Sequence, residues 1–581
     1  MNQVKKIYQQ YKDVITQYIF PLILFLYPFM TVNQGVDVSD STYSFSNFLY
    51  FENMEGMWVV STYVSNVVGW LLTKLPLGTT VLGLKFYATF LISGTVLLVY
   101  FTTKKWMPAW IAFLGEMIAV GFCWIPAGIL YNYLSYFFFT LGAILLYRGL
   151  VEEKDKLLVL AGVTLGCNVF VRIPNVTEMA LIIGLWYYLA CKQKKINVII
   201  KKTLICLFGY VVGVAIPLIA VLCRFGIKGI LDMIQGLTGI QSTDGTYSAW
   251  SMILTVIHAY QRTFKWMFVI LLGIAMGTAM FFCFKGKMEK AKKIVYLAGV
   301  AILLRFLWGR GMFSFRYYED YSSVYEWGMM GLYLVWIAGI YMLVSVRNTL
   351  EEKLWAVLVL VITVITPLGS NNYTFQNLNN LFLVAPFTLY TFVKIFRRKY
   401  SKYSKKQNIN QAIHFPWKAM ITTIGIMICI QSVGFHSQFV FRDGMDGTKR
   451  EYRFEHPATL RGMKTTKENG KVLGELISFI EKNEYQNKKV LLYGDCPGLS
   501  FLLDLPVAIG TSWPDLGSYP YETFVRDIEA LEEAPMVILR EVAIDEQSLA
   551  KKQYLINFLN SNEYVNVFGN DEYSVFVTGK D

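Results

Sequence analysis

The run Asp37-Val38-Ser39-Asp40-Ser41-Thr42-Tyr43 places two carboxylates three residues apart, just beyond a long apolar stretch. Carboxylates so placed can take a proton from an attacking hydroxyl or hold a metal ion; a solvated loop is the plainer account of the spacing alone. Arg172, in Val171-Arg172-Ile173-Pro174-Asn175, is the one charge in a very short turn between two apolar runs. A charge in that position is costly and marks function by default, unless it snorkels to the interface. Arg305, Arg310 and Arg316 stand among Trp308, Phe313, Phe315, Tyr317 and Tyr318. Guanidinium groups grip phosphate bidentately, and the aromatics suit either a headgroup layer or the face of a sugar. Asn371, in Gly369-Ser370-Asn371-Asn372, offers an amide to a sugar hydroxyl, although a polar turn explains it too. His258, His414, His436 and His456 show no metal-ligand spacing, and the eight cysteines form neither a paired metal motif nor a disulfide framework.

The elements that position these groups follow from composition. Of 581 residues, 55% are hydrophobic and 16% charged, against roughly 25% charged in a soluble domain, and the mean hydropathy is +0.41. That excludes disordered, collagenous and ordinary cytosolic classes and points to a polytopic α-helical membrane protein. The net charge of +13 is uneven: residues 1–434 hold 38 Lys+Arg against 18 Asp+Glu, and residues 435–581 hold 16 against 23. The positive excess belongs to the apolar part, where it sets topology; no nucleic-acid motif supports another use.

Apolar windows long enough to cross a bilayer recur thirteen times, at 14–32, 82–103, 107–125, 127–149, 156–173, 175–191, 201–224, 264–285, 291–308, 324–346, 353–369, 375–396 and 416–434. The first lacks a small-residue cleavage site and reads as a retained span rather than a signal peptide. With the N-terminus cytoplasmic, every inner loop is basic (Lys104-Lys105, Arg148 with Lys154, Lys192 to Lys202, Lys285 to Lys293, Arg347 with Lys353, Lys394 to Lys406), as the positive-inside rule requires. An odd number of spans then puts the tail outside. Outer loops are expected at 33–83, 224–263 and 308–325, the first containing an amphipathic stretch, Met57 to Leu75, that lies on the membrane surface. The tail, 435–581, reads as a small α/β domain with strands at Lys489–Tyr493 and Met536–Glu541, a helix over Ser548–Leu559, and a hairpin, Tyr564–Phe568 with Tyr573–Val577.

About thirteen spans, an acidic first outer loop with an interfacial helix, and an outer C-terminal α/β domain together resemble the GT-C glycosyltransferase superfamily, which includes protein O-mannosyltransferases, aminoarabinose transferases and oligosaccharyltransferases. The superfamily's first outer loop commonly has Asp-Glu or Asp-Asp followed shortly by Tyr. Here Asp40 and Tyr43 match, and Ser41 stands where the second acid is often found, a place Asp37 would fill. The resemblance implies a sugar moved from a polyprenyl-phosphate donor to a cell-surface glycan, lipid or protein. Asp40 would be the base, Asp37 a second acid, Lys85, Arg172, Arg310 and Arg316 the donor-phosphate contacts, and Tyr43, Tyr131, Asn132 and Asn371 substrate contacts. Asn132 replaces a second outer acid of some relatives, and whether a divalent metal is needed stays open.

Two rivals remain: a polysaccharide polymerase of the O-antigen type, which usually has its large outer loop between spans, and a lipid-linked-glycan flippase or transporter, which would place charges at the midplane. The centres of the spans hold few charges, Glu116 and Glu178 being the exceptions. Basic inner loops and the lack of disulfides suit a multi-pass protein of a bacterial plasma membrane.

Overall fold

The computed structural model describes residues 10–54, 57–123, 128, 130–243, 249–282, 288–309, 322–369, 374–404, 417–444, 449–486, 488–517, 519–541 and 546–579. Among the described residues helix covers part or most of each apolar window. Among the described residues five helices are long and apolar enough to cross a membrane by length and composition: Lys12–Thr31, Val81–Thr103, Leu130–Val151, Ile196–Leu237 and Trp327–Val344. The chain is a multi-pass membrane protein with a sheet-containing C-terminal region.

In chain order, α1 is Lys12–Thr31, α2 Asp40–Leu49, α3 Tyr63–Thr73, α4 Val81–Thr103, α5 Ala109–Phe122, α6 Leu130–Val151 and α7 Asp155–Asn168. A 3-10 segment, Ile173–Leu181, leads into α8, Ile182–Cys191, and then α9, Ile196–Thr243. The first turns after Arg172 are therefore tighter than the α-helical span expected at 175–191, with Pro174 at their start. Within the expected outer segment 224–263, residues on both sides of 244–248 are helical, α9 running to Thr243 and α10 being Ala249–Phe282. Ile227, Leu231 and Ile234 continue the helical period of the apolar stretch beyond Arg224, and Gly226, at φ 64, carries the break that redirects α9.

α7 and α9 pack backbone against backbone. A Cβ on Gly162 would fall 2.1 Å from the Cys206 carbonyl oxygen, one on Gly166 2.2 Å from that of Tyr210, one on Gly209 2.2 Å from that of Val159, and one on Gly213 2.2 Å from that of Val163. Two Gly-x-x-x-Gly repeats thus face each other and let the backbones touch, the packing that substitutes for a hydrophobic driving force inside lipid.

Of the remaining apolar helices, α11 is Glu289–Gly309, α12 Ser322–Val344, α13 Leu350–Ile365, α14 the short Phe375–Asn379, α15 Val384–Ser404 and α16 Trp417–Gln438. In the tail, β1 (Tyr452–Arg453) pairs antiparallel with β2 (Lys464–Thr465). A second sheet has the order β3-β4-β6-β5, from Val490–Tyr493, Met536–Arg540, Tyr573–Thr578 and Tyr564–Gly569. β3 and β4 are parallel, the other pairs antiparallel. The strands β3 and β4 read as continuous apolar runs because both faces are covered.

Candidate functional site

Asp37 folds the acidic run. Its Oδ1 accepts from the Ser39 N–H at 2.9 Å and the Ser39 hydroxyl at 2.6 Å, its Oδ2 from the Ser41 N–H at 2.8 Å, and its carbonyl oxygen from the Thr42 hydroxyl at 2.5 Å. An aspartate satisfying the orphan N–H groups of a helix entry is a capping arrangement, and it commits Asp37 to shaping the turn. Asp40, the first residue of α2, keeps a third of its side chain exposed.

The tail completes the surroundings of Asp40. Arg442 has its Nε 3.7 Å from Asp40 Oδ2 and its Nη1 3.1 Å from Asp495 Oδ2, and donates to the Ser39 hydroxyl at 2.7 Å. Asp495 sits at φ 54 behind Gly494, whose φ of 102 and whose close approach to the Arg540 carbonyl, 2.1 Å from a would-be Cβ, admit no side chain. The Asp495 N–H donates to Asp515 at 2.8 Å. Burial and then the charge of Asp37 push the Asp40 carboxyl up to about 6, with Asp495 adding to the rise and Arg442 opposing it. Burial also raises Asp495, against Arg442 and Arg540. A carboxyl at about 6 is ionised at neutral pH and still basic enough to accept a proton.

Main-chain pairing joins the acidic loop to the tail. The Gly35 N–H donates to Lys464 O at 2.7 Å, the Lys464 N–H to Asn33 O at 2.9 Å, and the Gly498 N–H to Val38 O at 2.8 Å. Tyr43 meets the Trp513 ring edge-on at 5.2 Å, and the Tyr50 hydroxyl donates to Asp504 at 3.2 Å. Beneath this seam Asp443, fully buried, accepts from the Thr465 hydroxyl, from Asn469 at 2.8 Å and from Arg450 at 3.3 Å. Lys85, on the first turns of α4 and also buried, donates to the carbonyls of Gln34 at 2.7 Å and Gly35 at 3.0 Å. It therefore lies under the loop.

The sequence-predicted contacts fall into two groups. Asp37, Asp40, Tyr43 and Lys85 come together. Asn132 and Arg172 line a second, enclosed cleft with Ser135, Tyr136, Glu178 and Gln376. Gly128, just before α6, packs beside Lys85, and Leu130 to Tyr136 rise about 9 Å along α6, so the cleft starts next to the acidic loop and runs deeper. Arg172 donates to Gly369 O at 3.1 Å across it, Asn168 to Glu178 at 2.7 Å, Asn175 to Ser135 at 2.7 Å, and Tyr136 to Gln376 at 2.9 Å. The free space is about 20 Å³, room for about one water, so the side chains must part before anything larger enters. Tyr131, half-buried, gives its carbonyl to the Ser135 hydroxyl. Arg310, Arg316 and Asn371 lie outside the described residues.

Sequence reasoning missed Arg442, Asp495 and Asp515. A signal was there in part: Arg442-Asp443 directly follows an apolar run, and Gly494-Asp495 and Trp513-Pro514-Asp515 are the tail's turn motifs. Among the described residues no group of three or more His, Cys, Asp or Glu is placed to hold a metal ion, and a guanidinium stands between Asp40 and Asp495.

No protein-family model matches the chain. No curated protein matches it. Solved structures similar to it include ArnT from Cupriavidus metallidurans bound to undecaprenyl phosphate (9% identity, 97% of each chain covered, TM-score 0.47). Another is the Archaeoglobus fulgidus oligosaccharyltransferase in complex with Zn and sulfate (11% identity, 90% of this chain and 68% of that one, TM-score 0.45). A third is AglB from the same organism with an inhibitory peptide and a dolichol-phosphate (10% identity, 90% and 70%, TM-score 0.42). At such identities and scores the chemistry has to be read from this chain's own side chains.

Proposed function

We propose that the protein is a GT-C-type membrane glycosyltransferase that moves a sugar from a polyprenyl-phosphate donor to a glycan, lipid or protein acceptor at the outer face of a plasma membrane, with the N-terminus cytoplasmic and the tail, 435–581, extracytoplasmic. The observation that carries this reading is Asp40: a partly exposed carboxyl at the seam of loop and tail, raised to about 6 and flanked by Arg442. Asp40 takes the proton of the acceptor hydroxyl while the acceptor oxygen bonds to the anomeric carbon. The bond from that carbon to the phosphate oxygen breaks, and the electron pair leaves with the polyprenyl phosphate. Such a transition state has oxocarbenium character, so the departing phosphate needs cations. Arg172, Arg310 and Arg316 serve there. Lys85 supports the loop that carries Asp40 from beneath, through two carbonyls. Tyr43, Tyr131, Asn132 and Asn371 contact the substrates.

The test is incorporation of radiolabelled sugar from a panel of polyprenyl-phosphate sugars into membrane material by wild type and Asp40→Asn. Label from wild type alone supports the reading; equal label from both discards Asp40 as base. Glu116, buried in α5 with neither carboxylate oxygen hydrogen-bonded, favours lipid-linked-glycan transport as a second reading, and no label from any donor would move the assignment there.

A further inference from the structure

The chain between β1 and β2 forms a surface feature that the transfer chemistry does not use. Phe454, Leu460 and Met463 point inward and are buried. The Gly462 N–H donates to Phe454 O at 2.9 Å, and the Thr459 hydroxyl to Leu502 O at 2.5 Å. This anchoring leaves Arg453, His456 and Arg461 exposed, and with Glu455 they line an open hollow of about 350 Å³.

The position of the hollow relative to the bilayer follows from α4. A Cβ on Gly462 would come 3.5 Å from Leu82 Cδ2, so the hairpin rests on the first turn of that helix. The 23 residues of α4 rise about 35 Å against a hydrocarbon core of about 30 Å, which puts Leu82 at headgroup level. Leu71, Leu75 and Leu77, which precede α4, are exposed and apolar, as residues dipping into an interface are.

We propose that this hollow binds the phosphate headgroup of an anionic phospholipid and so seats the tail on the membrane. Two guanidinium groups offer paired N–H donors to one phosphate, and Glu455 offers an acceptor to headgroup hydroxyls such as those of phosphatidylglycerol. Each arginine near an anionic leaflet strengthens the attraction about fivefold.

The experiment is amide hydrogen exchange of the full chain in nanodiscs of phosphatidylcholine alone or with phosphatidylglycerol, and in detergent with inorganic phosphate. Amides 454–463 should exchange at least about threefold more slowly in the phosphatidylglycerol discs, as binding to the folded state requires. Arg453→Gln with Arg461→Gln should abolish that difference and leave the β3-β4-β6-β5 sheet amides unchanged. Equal exchange in the two kinds of disc, which needs no variant to measure, would overturn the proposal. So would slowing that persists in the double variant. The same slowing with inorganic phosphate would assign the hollow to a soluble anion instead.

Discussion

Replacing Arg442 by Met should move the acid limb of the transfer reaction to higher pH. Asp40 faces three charged groups: Asp37 and Asp495, which raise its pKa, and Arg442, which lowers it. At the observed 3.7 Å, two unit charges interact by about 1 kcal/mol in water and about 4.5 kcal/mol at an effective dielectric of 20. Asp40 is 33% and Arg442 46% exposed, so solvent screens the pair strongly and the low end applies. Losing about 1.4 kcal/mol of opposing charge raises the carboxyl by about one unit, from about 6 to near 7. The base is active when ionised, so activity is lost as pH falls through that value. At pH 6 the variant should retain about a fifth of wild-type kcat/KM, and at pH 8.5 nearly all of it. The assay is a pH profile of label transfer from pH 5 to 9, with Arg442→Lys as the charge-keeping control. Parallel profiles for wild type and Arg442→Met would refute the electrostatic coupling; a uniform loss at all pH values would make Arg442 merely structural.

Asp40→Asn should stabilise the protein at pH 7 and not at pH 4. The folded pKa, about 6 against an ordinary 3.8, means that ionisation opposes folding, a cost absent below about 4 and complete above about 6; thermal melting at the two pH values checks it. Gly498→Ala should cut transfer while the sheet stays folded, because the new Cβ would lie 1.7 Å from the Thr42 hydroxyl oxygen and push the turn off the acidic loop; transfer rate and exchange of the sheet amides are compared. Gly166→Leu should lower the melting temperature of the detergent-purified protein by the equivalent of about 3 kcal/mol or more, since the clash is with backbone, while Gly94→Ala, where nothing lies within 4 Å, should not. Asp443→Ala should cost about 3–5 kcal/mol by taking the buried carboxylate away from Arg450 and from the Thr465 and Asn469 donors, seen as faster proteolysis of the tail.

Residues near one another in the chain carried their structure in the sequence. The strands at Val490–Tyr493 and Met536–Arg540 and the hairpin after Tyr564 depend on short-range periodicity and turn residues and appear within a few residues of the expected bounds; the apolar windows also hold helix, although α9, α10 and α15 run well past theirs. The acidic run was visible as chemistry for the same reason. Its environment was not. Arg442 reaches Ser39 across 403 positions, and the Gly494–Gly498 turn, unremarkable by composition, sits on Val38 and Thr42 because sheet and loop pair through the backbone. Main-chain pairing of that kind leaves no mark on side-chain pattern. Scattered charges after Arg224 obscure the apolar period that carries α9 on to Thr243, and the facing Gly repeats of α7 and α9 become a contact only once α8 has brought two parallel helices side by side. Which carboxylate shapes the turn and which stays partly exposed, the division between Asp37 and Asp40, is settled by burial and by charges from the far end of the chain, and those are properties of the folded molecule alone.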